Sequence, residues 1–208
     1  MHRLMPISRS AFLRLGATGV TAAASGVLGA GVALGAPPPA TPQGDDVGFL
    51  AFGAVGERTA LAFYRQALST PGLFEAGERS DLVQARRAKR QHLIKLNAVL
   101  ASDAVASDDF RVDLPKTAFS THARALALGE SLEELLVGVY LYGAGYAADP
   151  GTRLLIARLL TVDGQLLGAM RAMAGKPFNT GLPTPLSTEQ AGDALDKLLT
   201  VPGSPGGG

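Results

Sequence analysis

Glutamate and tyrosine recur at one interval in two separate segments of this chain. Glu57-Arg58-Thr59-Ala60-Leu61-Ala62-Phe63-Tyr64 and Glu133-Glu134-Leu135-Leu136-Val137-Gly138-Val139-Tyr140 each place a Glu seven residues before a Tyr. Seven residues make close to two helical turns, so carboxylate and phenol share a face wherever the segment is helical. Inward carboxylates on neighbouring helices are the raw material of a dimetal centre, which takes a Glu from each of two helices and a Glu-x-x-His pair from each of two others. Carboxylate and imidazole donors of this kind suit iron and manganese.

Composition excludes several other chemistries. The 208 residues include no Cys and no Trp, which rules out a disulfide framework, thiol catalysis, iron–sulfur ligation and a thiolate zinc site. No Ser-His-Asp arrangement, P-loop or dinucleotide fingerprint is present in the sequence. Lys and Arg number 19 and Asp and Glu 18, and residues 1–36 hold three of the Arg and no acid. The remainder carries 16 basic and 18 acidic residues, a balance without the clustered basic face that nucleic acid binding needs.

Four long helices are predicted to position the Glu and Tyr residues. The first runs from Val47 to about Leu68, where Leu50, Ala54, Leu61 and Leu68 recur near helical spacing behind the negative start Asp45-Asp46. After the stop Thr70-Pro71-Gly72, Ser80-Asp81 opens the second, through Leu82, Ala85, Leu93, Leu96 and Leu100. Its basic residues Arg86, Arg87, Lys89 and Arg90 spread around the helix, and most are expected on a solvated face. The third spans about Thr121 to Ala147 and the fourth Thr152 to Ala174, with Asp149-Pro150-Gly151 between them. Ser187-Thr188-Glu189-Gln190 opens a short fifth helix toward Leu199. No segment sustains strand alternation, so the fold class is all-α, with the domain over 48–200 and a disordered tail at 201–208.

Link lengths set the connectivity. The third and fourth helices are joined tightly, as antiparallel neighbours are. The stretch from Ser102 to Lys116 is different: some 15 residues extend to roughly 50 Å, whereas a helix of about 25 residues is about 37 Å long, so this link crosses the whole bundle. One long crossover between helices two and three is the connectivity of ferritin-like four-helix bundles.

With that connectivity and the paired Glu-to-Tyr spacing, the chain resembles the ferritin-like domain family that includes bacterial desiccation-related proteins, from about Phe49 to Pro185-Leu186-Ser187. The resemblance implies six ligand positions. Glu57, His92 and Glu133 keep the family's residue type, and Asp163 shortens a glutamate. Lys89 stands where the Glu of the first Glu-x-x-His belongs, and Leu166 where the His of the second belongs. Neither can serve as a ligand, so the metal site reads as dismantled, with no cofactor expected. The replacements are physically consistent. Three inward carboxylates without a cation repel one another and lose their hydration, and an ammonium from Lys89 among Glu57, Glu133 and Asp163 takes over the charge of the ion. Leu166 extends the apolar stripe of its helix and excludes water.

Simpler roles are expected of other residues. His92 alone reads as a hydrogen-bonded structural histidine, and Tyr64, Tyr140, Tyr142 and Tyr146 as core residues with a partner for the hydroxyl. Gly138, Gly143 and Gly145 favour close approach of a neighbour. His122 lies near a helix start with no evident partner in the sequence.

Residues 1–36 read as an export signal or an N-terminal membrane anchor: Arg3, Arg9 and Arg14 precede an uncharged run from Leu15 to Ala36. Ser8-Arg9-Ser10-Ala11-Phe12-Leu13-Arg14 resembles the twin-arginine export motif, with Ser10 in place of the second arginine. Residues 37–47, PPPATPQGDDV, form a Pro-rich linker. The expected location is the periplasm or cell envelope, with membrane contact only through the N-terminal segment. The expected partners are an envelope protein or a second copy of the chain. The leading functional reading is a non-catalytic structural or interaction module. The alternative is a metal-binding oxidase or iron-binding protein with iron or manganese at an atypical site around His92.

Overall fold

A computed structural model describes residues 44–177 and 181–200. The expected signal or anchor at 1–36, the first part of the Pro-rich linker and the expected tail at 201–208 lie outside them. Four long helices, α1 (Gly44–Ser69), α2 (Ala76–Leu100), α3 (His122–Tyr146) and α4 (Pro150–Met173), are followed by the short α5 (Thr188–Asp196). The α1 helix packs against α2 and α3, and α4 against α3 and α2, which is the predicted all-α bundle.

Local chemistry explains the helix starts. Thr121 caps α3 by accepting from the Arg124 N–H, and Asp149 caps α4 by accepting from the Thr152 N–H with Pro150 in the first turn. Ser187 and Gln190 form a reciprocal capping box at α5. Two starts differ from expectation. The α2 helix begins at Ala76 rather than Ser80-Asp81, because Glu75 and Glu78 make a capping box of two glutamates. The α1 helix begins at Gly44, so the last residues assigned to the Pro-rich linker are helical. Its Asp46 is buried and accepts from the N–H groups of Ala148 (2.9 Å) and Asp149 (2.8 Å), tying the start of α1 to the α3–α4 turn.

The crossover occupies residues 101–121 and contains two 3₁₀ turns and the two-residue strand β1 (Arg111–Val112). It pairs antiparallel with β2 (Leu199–Thr200), beyond the end of α5, with Arg111 opposite Thr200 and Val112 opposite Leu199. The predicted extension of the fifth helix to Leu199 is therefore corrected: the helix stops at Asp196 and the chain turns to form this pair. Arg58 of α1 fastens the crossover. Its guanidinium donates to the carbonyls of Val105 and Ala106, both at 2.6 Å, and lies 4.8 Å over the Phe110 ring.

The core runs the length of the bundle through Leu50, Phe63, Leu82, Leu96, Leu126, Leu136, Ile156, Leu159 and Met170. Close approaches occur at two of the three glycines expected to allow them. Gly143 faces the Phe49 ring, and at Gly138 the returning chain lies so near that the Leu186 N–H donates to the Gly138 carbonyl at 2.9 Å. Gly145 faces open space.

Candidate functional site

Midway along the bundle, each of the four long helices contributes at least one ionisable side chain to a single buried cluster. Glu57 comes from α1, Lys89 and His92 from α2, Glu133 from α3 and Asp163 from α4. Each lies on the apolar stripe of its helix; on α2 the buried positions Leu82, Ala85, Lys89, His92, Leu96 and Leu100 follow one another at three- or four-residue steps. Lys89 is fully buried and ranks among the bulkiest such side chains in the protein.

The Lys89 ammonium is the hub. Its Nζ donates to Asp163 Oδ1 at 2.7 Å and to Glu133 Oε2 at 2.8 Å, and lies 3.4 Å from Glu57 Oε2. His92 Nδ1 is 2.9 Å from Glu57 Oε1 and 3.4 Å from Asp163 Oδ1. The two tyrosines complete the arrangement crosswise: Tyr140 of α3 donates to Glu57 of α1 at 2.8 Å, and Tyr64 of α1 donates to Glu133 of α3 at 2.7 Å. Glu57 Oε2 and Asp163 Oδ2 are buried acceptors without a hydrogen bond in the structure.

Burial and charge compete at every group. Burial alone would raise the Glu57 carboxyl, but Lys89 and His92 outweigh it and hold Glu57 below its ordinary value. At Glu133 and Asp163 burial prevails over the attraction of Lys89, and both are pushed up. For Lys89, burial works against the charged form and the three carboxylates more than compensate, so the ammonium is held charged. Burial would likewise lower His92, yet its contacts with Asp163 and Glu57 push it up to about 9. Tyr64 and Tyr140 are driven well above the ordinary phenol range, first by burial and then by neighbouring carboxylates.

The structure thus brings together five of the six positions that the sequence singled out. The sixth, Leu166, is half-buried and packs against the core without offering a donor atom, and the fully buried leucine of that turn is Leu167. Glu57, His92 and Asp163 place one ligand-type atom each within 4.8 Å of one another, a grouping that can hold a cation in principle. Tyr64 and Tyr140 are core residues with hydroxyl partners, as expected, whereas Tyr142 is half-buried and Tyr146 is 74% exposed, its ring stacked on Tyr142 with centroids 4.4 Å apart. His122 is not without a partner: its Nε2 lies 2.9 Å from Glu78 Oε1. A second ionic group was not foreseen. Arg171 of α4 is buried against α3, where it pairs with Glu134 at 2.8 Å and Glu130 at 3.5 Å, and Lys176 joins Glu130 at 2.6 Å. Its signal in the sequence is only the i, i+4 pair of acids on α3, which does not by itself name a partner.

No curated protein matches the chain. A family model described as a ferritin-like domain matches residues 45–176, from the first turn of α1 to just beyond α4. That span holds every residue of the buried cluster and well over half of the 208 residues, and the chain belongs to the ferritin-like domain family.

Proposed function

We propose that this protein is an exported ferritin-like module of the cell envelope whose buried cluster is structural rather than metal-binding, and which works by holding or contacting other envelope components. The observation that carries this reading is the position of Lys89, whose ammonium reaches Asp163, Glu133 and Glu57 at 2.7, 2.8 and 3.4 Å. A fixed positive charge at that point does what a bound cation would do for the carboxylates, and a second cation beside it is repelled. The donor set does not fit a two-metal centre, since Lys89 and Leu166 stand at two of the six family positions. Export is supported by Arg3, Arg9 and Arg14 ahead of the uncharged run Leu15–Ala36. The resemblance to desiccation-related proteins links the module to envelope stress.

A second reading, an iron-binding or oxidase protein with one ion at Glu57, His92 and Asp163, draws on the proximity of those three residues and on Asp163 Oδ2, which accepts no hydrogen bond. Elemental analysis separates the two. After anaerobic incubation of the full chain with ferrous iron, manganese and zinc and then desalting, the expected result is no retained ion. Stoichiometric retention that disappears in His92→Ala would establish the second reading and make oxygen consumption the next assay.

A further inference from the structure

The α3–α4 turn exposes an aromatic ring and apolar side chains beside one cation. Tyr146, Ala148, Pro150 and Leu154 are exposed along it, together with Arg153. Its carboxylates point elsewhere. Asp149 accepts from the Thr152 N–H, and Asp46, contributed by α1, is buried against the N–H groups of Ala148 and Asp149. An aromatic ring with a polar tip, small apolar side chains and one cation, with the nearby acids satisfied by backbone donors, is the composition that favours a membrane–water interface. Arg153 donates one N–H to the Ala148 carbonyl at 3.3 Å, and its guanidinium has further donors to offer a lipid phosphate at the same surface.

The chain's own path points to the same surface. Because Asp46 pins the first turn of α1 to this turn, whatever precedes α1 enters the bundle here. What precedes it in sequence is the uncharged run Leu15–Ala36, separated from Gly44 by the seven residues 37–43. Seven residues reach at most roughly 25 Å, so insertion of that run into a bilayer keeps this end of the bundle within reach of the headgroups.

We propose that the α3–α4 turn, with the exposed Tyr146 at the end of α3 beside it, is a lipid-facing surface that seats this end of the bundle on the membrane holding the N-terminal run. The proposal rests on the reading of residues 1–36 as an export segment retained as an anchor, and goes beyond it by fixing which part of the domain meets lipid. Tyr146 and Leu154 enter the interface, and the long axis of the bundle stands away from it.

The absence of Trp from the chain makes the test direct. Two full-length variants, Tyr146→Trp and Val83→Trp, each carry a single indole. Val83 is exposed on α2, about 25 Å of helix from Leu100 at the crossover end of that helix. Both are reconstituted into phosphatidylethanolamine–phosphatidylglycerol vesicles made with and without brominated acyl chains. In the brominated vesicles the indole at position 146 is expected to lose emission relative to the unbrominated ones, as a ring at the interface lies within reach of the acyl chains, and the indole at 83 to be unchanged. Protein that stays with the vesicles but shows equal quenching at both positions, or none at either, overturns the orientation and leaves the anchor reading intact. A blue shift at 146 without quenching by bromine also overturns it, since the ring is then covered by a second copy of the chain. Protein that does not stay with the vesicles overturns both readings.

Discussion

Lys89 Nζ and Asp163 Oδ1 meet at 2.7 Å with no solvent reaching either side chain. The contact joins α2 to α4, and the same nitrogen reaches α1 through Glu57 and α3 through Glu133. A single ammonium thereby links all four long helices. Buried charges of this kind are weak evidence of net stabilisation, because losing hydration offsets much of the attraction, yet removing one member leaves the others uncompensated.

Lys89→Met is accordingly expected to destabilise the fold by about 3–5 kcal/mol, the range for breaking a buried pair on one side. The loss should come from stranded carboxylates rather than from lost packing, since Met fills similar space. Adding Glu133→Gln and Asp163→Asn should therefore restore a large part of it. Urea unfolding of the three proteins checks this, and a Lys89→Met midpoint equal to that of the parent would show that the ammonium does not hold the carboxylates.

The two tyrosines donate across the bundle, Tyr64 to Glu133 and Tyr140 to Glu57. Each is a hydrogen bond to a buried, charged acceptor, so Tyr64→Phe and Tyr140→Phe should each cost about 1.5–3 kcal/mol. Tyr146→Phe, at an exposed ring, should stay within about 0.5 kcal/mol of the parent. Alkaline titration followed by ultraviolet absorbance offers a second check. Tyr64 and Tyr140 should remain protonated in the folded protein at pH values where an ordinary tyrosine has ionised.

That crosswise pairing marks how far the sequence could be read. The seven-residue spacing places Glu57 with Tyr64, and Glu133 with Tyr140, on one face of each helix, and this much is local geometry. Which tyrosine serves which glutamate depends on the approach of α1 to α3, and the observed partners belong to opposite helices. Lys89 was legible because it stands at a position whose neighbours are acidic in the resemblance. The capping box of Glu75 and Glu78 was missed because a Glu cap does not match the Ser/Thr pattern, and the early start of α1 because Asp46 acts on a turn a hundred residues away. The pairing of residues 111–112 with 199–200 left no mark, since two residues cannot show strand alternation. Arg171 is buried by tertiary contact alone.

His92 predicts a pH dependence. Its imidazole is pushed up to about 9 from an ordinary 6.5, so the folded protein binds the proton more tightly than the unfolded chain does. The resulting stabilisation is fully present below about pH 6.5 and is lost as pH rises through 9, by up to about 3 kcal/mol. Glu57, held low, loses its contribution only in acid, and Lys89, held high, only at stronger alkalinity; Glu133 and Asp163, pushed up, cost stability as they ionise, so the share of His92 is read from the difference between the parent and a variant without the imidazole. Melting temperatures measured between about pH 6.5 and 9 should fall more steeply for the parent than for His92→Gln. Parallel curves for the two proteins would remove His92 from the account.

Gly143 and Gly145, two residues apart on α3, should respond to alanine in opposite directions. A Cβ at Gly143 would overlap the Phe49 ring, which is buried and wedged between α1 and α3 close to the Asp46 tie. Since the buried ring must shift to admit the methyl group, Gly143→Ala should destabilise by about 1–3 kcal/mol, as overpacked cores do. A Cβ at Gly145 meets nothing within 4 Å, and its backbone already has an ordinary helical sign of φ. There the substitution only restricts the unfolded chain and improves helix propensity, so Gly145→Ala should stabilise by about 0.4–1 kcal/mol. Thermal unfolding of the two variants reads both effects in one experiment. Equal responses would mean that α1 and α3 do not approach as closely at Phe49 as this packing requires.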